Sequence, residues 1–129
     1  MILVDTSLWV EVFRKRDPLR IESLFDFDEI VTCLPVVAEV LQGFRDDRAY
    51  RTAREALFAM PIVESPLRSE VFEEGAQLYR SARRAGLTIR SGVACLIASC
   101  AIRNNLTLAH RDRDFDLLAR VAPLAVNAV

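Results

Sequence analysis

Four acidic side chains lie where a parallel sheet would bring them together. Asp5 directly follows the first predicted strand, and Asp112 and Asp114 directly follow the fourth. Glu39 lies about one turn into the helix predicted after the second strand. Because ligands bind outside the carboxyl ends of parallel strands, we expect these carboxylates to gather at one edge of the sheet.

Carboxylates that lie close together resist ionisation unless a positive charge joins them. Mg²⁺ is the natural partner, because it is a hard cation that prefers oxygen ligands, and Mn²⁺ accepts the same donors. Two such ions could clamp the attacking water and the leaving oxygen of a phosphodiester. This chemistry needs no nucleophilic serine, cysteine or histidine. The acidic residues therefore predict a divalent-metal site for phosphodiester cleavage.

Each acid alone also has a purely structural interpretation. Asp5 could simply be the N-cap of a helix, since aspartate is favoured there. Glu39 could be an exposed residue of an otherwise apolar helix, and Asp112 and Asp114 could form a solvated turn together with Asp116. The convergence of all four on one predicted edge favours a functional site over these separate interpretations.

Apolar runs and turn residues predict strands that alternate with helices. Strands are expected at 2–4, 30–32, 62–63, 106–109 and 123–126. Helices are expected from Ser7 as N-cap, from Asp17-Pro18 to Phe25, from Pro35 to Gly43, over 46–59, from Pro66 to Gly86, over 92–103 with Ser91 as N-cap, and over 114–120. This alternation predicts an α/β fold of three layers, in which a mostly parallel sheet of four to five strands has helices on both faces. We expect one domain spanning 1–129.

Composition limits the class of protein. Apolar residues make up 52% of the chain, which is enough for a core without disulfides. Seventeen basic and eighteen acidic residues leave a net charge of −1, so no global field attracts nucleic acid. The three cysteines, Cys33, Cys95 and Cys100, have no metal-binding spacing, and we interpret them as reduced core residues. With no signal peptide and no membrane-spanning run, we expect a soluble, cytosolic protein.

Four segments in order resemble the motifs of PIN-domain ribonucleases, and most closely those of VapC toxins from type II toxin–antitoxin systems. The resemblance covers nearly the whole chain. The segments are Val4-Asp5-Thr6-Ser7, Val37-Ala38-Glu39-Val40-Leu41-Gln42-Gly43, Leu87-Thr88-Ile89-Arg90-Ser91 leading into Cys95-Leu96-Ile97-Ala98, and His110-Arg111-Asp112-Arg113-Asp114-Phe115.

The resemblance implies an endoribonuclease that depends on Mg²⁺ or Mn²⁺, cleaves tRNA or ribosomal RNA, and is neutralised by a VapB antitoxin in a prokaryotic cytosol. It also implies a homodimer. Asp5, Glu39 and Asp112 match three acidic positions of the family's site. Asp114 matches a position that binds metal directly or through water, and Thr6 or Ser7 is expected to orient Asp5 or a bound water.

One position departs from the family pattern. Relatives carry an aspartate three residues before the Ile97-Ala98 pair, and here that residue is Ala94. Alanine offers no oxygen ligand, so the resemblance implies a site with one metal ligand missing. An engineered substitution and a natural loss would both account for it. We expect this chain to bind metal poorly and to cleave RNA weakly, if at all.

The remaining polar residues of interest are basic. His110 is the only histidine, and a structural or substrate-contact role is expected, since metal-dependent hydrolysis needs no histidine base. Arg84 and Arg90 approach the start of the helix that carries position 94. They could hold an RNA phosphate or an acidic group of an antitoxin, and a solvated helix end explains them equally well.

Apolar side chains on two helices could form an interface. Trp9 and Phe13 lie four residues apart on the first helix, which is typical of core or interface packing. Together with Leu41 and Phe44 they could supply a dimer surface or an antitoxin groove.

Two other functions compete with the nuclease. Ala94 keeps open a catalytically dead module that binds RNA or an antitoxin and acts in operon regulation. A phosphatase or receiver-like domain would pair its early aspartate with a later lysine. The only lysine is Lys15, which is too early in the chain, so this class is disfavoured.

Overall fold

A computed structural model describes all residues from Met1 to Val129. Its five strands form one parallel sheet in the order β3-β2-β1-β4-β5. The strands are β1 (Ile2–Val4), β2 (Ile30–Cys33), β3 (Ile62–Val63), β4 (Thr107–His110) and β5 (Ala125–Ala128). The helices are α1 (Thr6–Val12), α2 (Leu34–Gln42), α3 (Asp47–Phe58), α4 (Ser69–Arg84), α5 (Gly92–Arg103) and α6 (Arg113–Leu118). Six helices thus flank a parallel sheet, and the predicted α/β fold is confirmed.

The central strands are apolar because both of their faces are covered. All four residues of β2 are buried, and so are the last residues of β1 and β4. Runs of this kind are typical of parallel strands between helical layers. In the register of β1, Leu3 pairs with Val31 of β2 and with Leu108 of β4. The core therefore lies on both sides of β1, which ends at the residue before Asp5.

Helix α5 packs closely against α4 and is buried almost all round, as its continuous apolar sequence predicts. Its buried residues are Ala94, Cys95, Ile97, Ala98, Ser99, Cys100 and Ala101. Small residues on α4 permit this packing, and a Cβ added to Gly75 would meet Leu96 at 3.0 Å. The three cysteines are free and buried, in agreement with the prediction.

The segment from Asp17 to Phe25 does not form the predicted helix. It contains only a 3₁₀ turn at Ile21–Ser23, followed by a second one at Phe27–Glu29. Asp17 has a left-handed backbone (φ 50°), and the Leu19 N–H donates to Glu11 O of α1 instead of to its own turn. The apolar pattern is nevertheless used, since Leu19 and Phe25 pack against the core.

Several predicted boundaries were displaced. Helix α1 begins at Thr6 with Asp5 as its N-cap, rather than after Ser7, and α4 begins at Ser69 rather than at Pro66. Strands β4 and β5 end one and two residues later than predicted, which is a usual uncertainty at element ends. Gly86 follows α4 with φ 78°, as expected of a glycine that ends a helix. No helix combines the length and the apolar character needed to span a membrane.

Candidate functional site

The acidic residues lie at the point where the strand order of the sheet reverses. From β1 the chain builds outward to β2 and β3, then returns to place β4 on the other side of β1. Adjacent loops diverge at such a point, so a crevice forms outside the carboxyl ends of β1 and β4. A cavity of about 230 Å³ opens there. It is lined by Asp5, Thr6, Ser7, Glu39, Ser91, Ala94, Ile97, Asp112 and Phe115.

Asp5 is held in place by the helix that follows it. Its Oδ2 accepts hydrogen bonds from the Ser7 backbone N–H (2.9 Å) and from the Ser7 Oγ (2.6 Å). The residue is only 3% exposed. Burial raises the pKa of the Asp5 carboxyl above its ordinary value, and the negative charge of Asp112 adds to this, while the bonds from Ser7 oppose it. Asp5 is therefore both the N-cap of α1 and a wall of the cavity.

Glu39 reaches the same cavity from α2. The Thr6 Oγ1 donates to Glu39 Oε1 at 2.9 Å and so joins the first turn of α1 to α2. Partial burial raises the pKa of the Glu39 carboxyl, the bond from Thr6 opposes the rise, and the charges of Asp5 and Asp112 add to it. Of the two hydroxyl residues expected to orient Asp5, Ser7 does so, whereas Thr6 orients Glu39.

Asp112 completes the acidic wall as the N-cap of α6. Its Oδ1 accepts the Asp114 backbone N–H at 3.0 Å and lies 3.5 Å from Arg90 Nη2. The Asp112 backbone N–H donates to Nδ1 of His110, also at 3.0 Å. The Arg111 N–H donates to the Ser7 Oγ, which ties this turn to the start of α1.

Asp114 does not line the cavity. It is 1% exposed, and its Oδ2 accepts the backbone N–H groups of Arg90 (3.1 Å) and Ser91 (3.2 Å). Its other oxygen, Oδ1, is buried without a hydrogen bond and lies 3.8 Å from Arg90 Nε. The carboxylate therefore fastens the loop before α5 to the first turn of α6, between the two elements that carry Ala94 and Asp112.

The predicted basic candidates divide into three kinds. His110 is buried under the site, where it contacts Asp112 and the ring of Phe115. Arg90 is exposed at the rim, with its side chain 66% accessible, and faces both Asp112 and Asp114. Arg84 is exposed at the end of α4 and does not line the cavity.

Ala94 lies in the first turn of α5 and faces the acidic cavity, although it is only 4% exposed. An aspartate at this position would add a carboxylate to the wall that Asp5, Glu39 and Asp112 already form. A negative charge in the first turn of a helix is also favoured by the helix dipole. Position 94 therefore lies in the same cavity wall as Asp5, Glu39 and Asp112.

The oxygen donors that line the cavity suit a hard divalent cation. Hydrogen bonds use Oδ2 of Asp5, Oε1 of Glu39 and Oδ1 of Asp112, which leaves a second oxygen of each carboxylate available. The raised pKa values of Asp5 and Glu39 mark negative charge that lacks a partner. No three His, Cys, Asp or Glu side chains are close enough to form a ready-made metal cage, so the carboxylates surround the cavity without converging on one point.

Three residues of the cavity wall were not predicted as site residues from the sequence: Ser91, Ile97 and Phe115. Ser91 belongs to one of the four motifs and is predicted as an N-cap, and it occupies that place without a side-chain capping bond. Ile97 lies one turn beyond Ala94 on α5, and this spacing could have indicated it. Phe115 gave no such signal, because an apolar residue in a short helix is normally assigned to the core.

A larger cavity, of about 600 Å³, shares no lining residue with the acidic cavity and is mainly apolar. It is lined by Trp9, Val12, Phe13, Ile21, Glu22, Phe27, Asp28, Ile30, Ala56, Ala59, Met60 and Pro61. Trp9 and Phe13 of the predicted interface set belong to this apolar groove. Phe44 contacts the edge of Phe13, with ring centroids 5.9 Å apart, and neither Phe44 nor Leu41 lines the groove.

Comparison with known proteins assigns the chain to a family. The PIN domain family profile matches residues 2–121. Ribonuclease VapC11 of Mycobacterium tuberculosis is 39% identical over 129 aligned positions, and the alignment covers 96% of each chain. A VapC ribonuclease of Mycobacterium bovis has the same identity and coverage.

Solved structures share the fold. FitAcB of Neisseria gonorrhoeae has a TM-score of 0.72 at 23% identity, covering 99% of this chain and 97% of that one. VapBC-5 of Mycobacterium tuberculosis, a member of the VapBC family of toxin–antitoxin systems, has a TM-score of 0.72 at 21% identity, covering 98% and 97%. VapC20 of the same organism, described as a sarcin–ricin loop cleaving toxin, has a TM-score of 0.69 at 17% identity, covering 97% and 99%. The chain therefore belongs to the PIN domain family, and within it to the VapC ribonucleases.

Proposed function

We propose that this protein is an endoribonuclease toxin that depends on Mg²⁺ or Mn²⁺ and is weakened by alanine at position 94. The observation that carries the proposal is the cavity at the carboxyl ends of β1 and β4, where Asp5, Glu39 and Asp112 each present a carboxylate. The name of the relative that is 39% identical supports ribonuclease chemistry.

Asp5, Glu39 and Asp112 are the residues that would hold the cation. When bound, a divalent cation activates water and neutralises charge on a phosphodiester. Ser7 keeps Asp5 in one orientation, and Thr6 does the same for Glu39. Asp114 acts behind the cavity by fixing the loop before α5, so we propose a positioning role for it rather than direct metal ligation.

Restoring the acid at position 94 tests the proposal. The Ala94→Asp variant should cleave RNA in the presence of Mg²⁺ or Mn²⁺ about 10²- to 10³-fold faster than the chain with alanine, which is the usual effect of one strong electrostatic contact. EDTA should abolish the cleavage. Ala94→Asn is the matched control, because it has nearly the same shape without the charge, and it should remain as weak as the alanine chain.

Two results would reject parts of the proposal. Equal cleavage by the Ala94→Asp variant and the alanine chain would show that position 94 is not a ligand. Absence of cleavage in both chains, with antitoxin binding preserved, would favour the catalytically dead binding module acting in operon regulation. Ala94 itself is the observation that keeps this second function under consideration.

We propose structured RNA, either tRNA or ribosomal RNA, as the substrate. The description of VapC20 as a toxin that cleaves the sarcin–ricin loop supports the ribosomal choice. Incubating the Ala94→Asp variant with purified tRNA and with ribosomes, and mapping the new 5′ ends, would distinguish them. Cuts scattered along both RNAs without preference would contradict a defined target.

We propose that a VapB-type antitoxin occupies the apolar groove beside α1. VapBC-5, which shares the fold, belongs to a family of toxin–antitoxin systems. Nine of the twelve groove residues are hydrophobic, and Glu22 and Asp28 at its rim suit a partner helix with basic residues. Phe27 is 57% exposed on this wall, so Phe27→Asp should weaken binding of the cognate antitoxin without unfolding the toxin.

A matched control for the groove lies on α3. Phe58 is similarly exposed (45%) but does not line the groove, and Phe58→Asp should leave antitoxin affinity unchanged. Equal loss of affinity in both variants would place the antitoxin elsewhere.

We further propose a cytosolic homodimer. A second apolar surface includes Leu67, Phe72 and Leu96. It is formed by helices α2, α4 and α5 and by the segment that precedes α4, and Phe72 is 49% exposed on it. Sedimentation of the purified chain should show a dimer that Phe72→Glu dissociates. A monomer at micromolar concentration would reject this proposal.

A further inference from the structure

The buried imidazole of His110 makes a specific contact below the acidic cavity. Its side chain is 1% exposed, and its ring packs against Phe115 with centroids 5.3 Å apart. Nδ1 accepts the backbone N–H of Asp112, two residues along the chain, at 3.0 Å. An Nδ1 that accepts cannot carry a proton, so the neutral ring has its proton on Nε2. Nε2 lies 3.5 Å from Asp116 Oδ1 and makes no hydrogen bond.

The contact lies in the turn between β4 and α6, which is fixed by hydrogen bonds to side chains rather than by those of a helix or strand. Arg111 and Asp112 connect β4 to α6, and the N–H groups of both residues donate to side chains rather than to backbone oxygens. The Arg111 N–H donates to the Ser7 Oγ, and the Asp112 N–H donates to His110. The bond from Asp112 is partly buried, and a backbone N–H is costly to leave unpaired in such a place. The two side chains therefore define the path of the turn.

The direction of the Asp112 carboxylate follows from this turn. Asp112 is the N-cap of α6, and its Oδ1 accepts the Asp114 N–H only while its backbone stays extended (φ −128°, ψ 120°). The bond to His110 fixes the N–H side of the same residue. Asp112 lines the cavity that Asp5 and Glu39 share, and with both sides of its backbone fixed its second carboxylate oxygen remains without a hydrogen bond.

We infer that His110 is a positioning residue of the site: its Nδ1 holds the Asp112 backbone so that the carboxylate is presented to the cavity. His110 does not line that cavity and so is not expected to touch RNA or a cation. Groups that hydrogen-bond to a metal ligand and orient it affect metal affinity, and their loss typically lowers that affinity about 10- to 100-fold. The inference rests on the proposed metal site for its consequence, but its geometry can be tested without metal.

Two variants of His110 separate the hydrogen bond from ring packing. In His110→Asn, Oδ1 stands the same number of bonds from Cα as Nδ1 and can accept the Asp112 N–H, although the ring is lost. In His110→Phe, the ring remains against Phe115 and the acceptor is lost. A role limited to packing predicts that Phe is tolerated and Asn is not, whereas a positioning role predicts the reverse.

Amide hydrogen exchange measured by NMR on the metal-free chain is the first readout. The Asp112 and Asp114 amides should exchange about ten-fold faster or more in His110→Phe, and within about two-fold of the parent in His110→Asn. The Val129 amide is an internal control, because it donates to the backbone oxygen of His110 and should stay protected in both variants. Unchanged protection of Asp112 in His110→Phe, or equal loss in both variants, would overturn the inference. If His110→Phe fails to fold, protection retained in His110→Asn supports the inference and protection lost there overturns it.

Mn²⁺ titration in the Ala94→Asp background is the second readout. Affinity should fall about ten-fold or more in His110→Phe and recover in His110→Asn. Unchanged affinity in His110→Phe would overturn the positioning role. Absence of Mn²⁺ binding in every variant, including the His110 parent, would instead reject the proposed metal site, and the exchange data would still decide the role of His110.

Discussion

The acidic cavity has two halves that are built differently. On one side, Asp5 and Glu39 are held by the hydroxyl groups of Ser7 and Thr6, and no positive side chain pairs with either of them. On the other side, the Asp112 carboxylate accepts the Asp114 backbone N–H, the Asp112 backbone N–H donates to the His110 ring, and Arg90 lies 3.5 Å from the carboxylate. Burial raises the pKa of Asp5 and Glu39, the charge of Asp112 adds to both rises, and so the first half carries the negative charge that lacks a partner.

The two halves of the cavity therefore have different roles. The half formed by α1 and α2 collects charge that a cation could neutralise, and it lowers the stability of the cation-free protein. The half formed by the β4–α6 turn and the loop before α5 supplies a rigid frame, because buried amides find their acceptors there. Substitutions in the frame should therefore cost stability, whereas neutralising a charge in the first half should increase it.

The largest effect is expected at Asp114, within the frame. Asp114→Ala should lower the free energy of unfolding by about 3 kcal/mol, because the N–H groups of Arg90 and Ser91 lose a charged acceptor. Asp114→Asn is the control, since an amide oxygen can replace Oδ2 for both N–H groups, and it should cost about 1 kcal/mol. Urea unfolding of the metal-free chain measures both. If Asp114→Ala is as stable as the parent, Asp114 does not belong to the frame.

The aspartates of this frame show what sequence could and could not predict. Asp112 and Asp114 both follow β4, and their spacing gave no reason to treat them differently. The partners of Asp114 are backbone amides 23 and 24 residues earlier in the chain, and backbone donors have no signature in a sequence. Asp114, which the sequence predicted as a metal ligand, is a buried acceptor of hydrogen bonds in the structure. Of these two aspartates, only Asp112 lines the cavity.

The parallel sheet, by contrast, followed from local patterns. The apolar runs at β1 and β4 predicted buried parallel strands, and residues after such strands meet at one edge of the sheet. For this reason Asp5, Glu39 and Asp112 were expected near the cavity that they line, whereas position 94 was expected there only from the family resemblance. The helix predicted after Asp17 was wrong. Its apolar pattern favoured a helix, but the structure has a left-handed residue and a hydrogen bond to α1 there instead.

The second effect tests the link between the two halves. The Ser7 hydroxyl donates to Asp5 and accepts the N–H of Arg111, which is 104 residues away. Ser7→Ala should lower the free energy of unfolding by about 1.5 kcal/mol, because both hydrogen bonds of the hydroxyl are lost. Ser7→Thr keeps the hydroxyl and should recover most of this loss in thermal unfolding. Equal destabilisation by Ala and Thr would show that the site tolerates only the size of serine and that the hydroxyl contributes little.

The smallest effect has the opposite sign and concerns the charge of Asp5. A carboxyl whose pKa is raised in the folded protein binds its proton more tightly there than in the unfolded chain. The stability that this proton provides is complete below the unfolded pKa of 3.8, and it is lost as pH rises through the higher folded value. Asp5→Asn removes the charge while its amide oxygen still accepts from Ser7, so at pH 7 it should stabilise the metal-free protein by about 1 kcal/mol.

The pH dependence distinguishes this charge effect from a change in packing. The gain from Asp5→Asn should shrink as pH falls from 7 towards 4 and disappear below about pH 4, where the aspartate is itself protonated. Denaturant unfolding at pH 7, 5.5 and 4 measures the trend. A loss of stability in Asp5→Asn at pH 7 would mean that the hydrogen bonds of the charged carboxylate outweigh its burial. The two halves would then be equally well compensated, and the uneven charge distribution that supports a cation site would lose its basis.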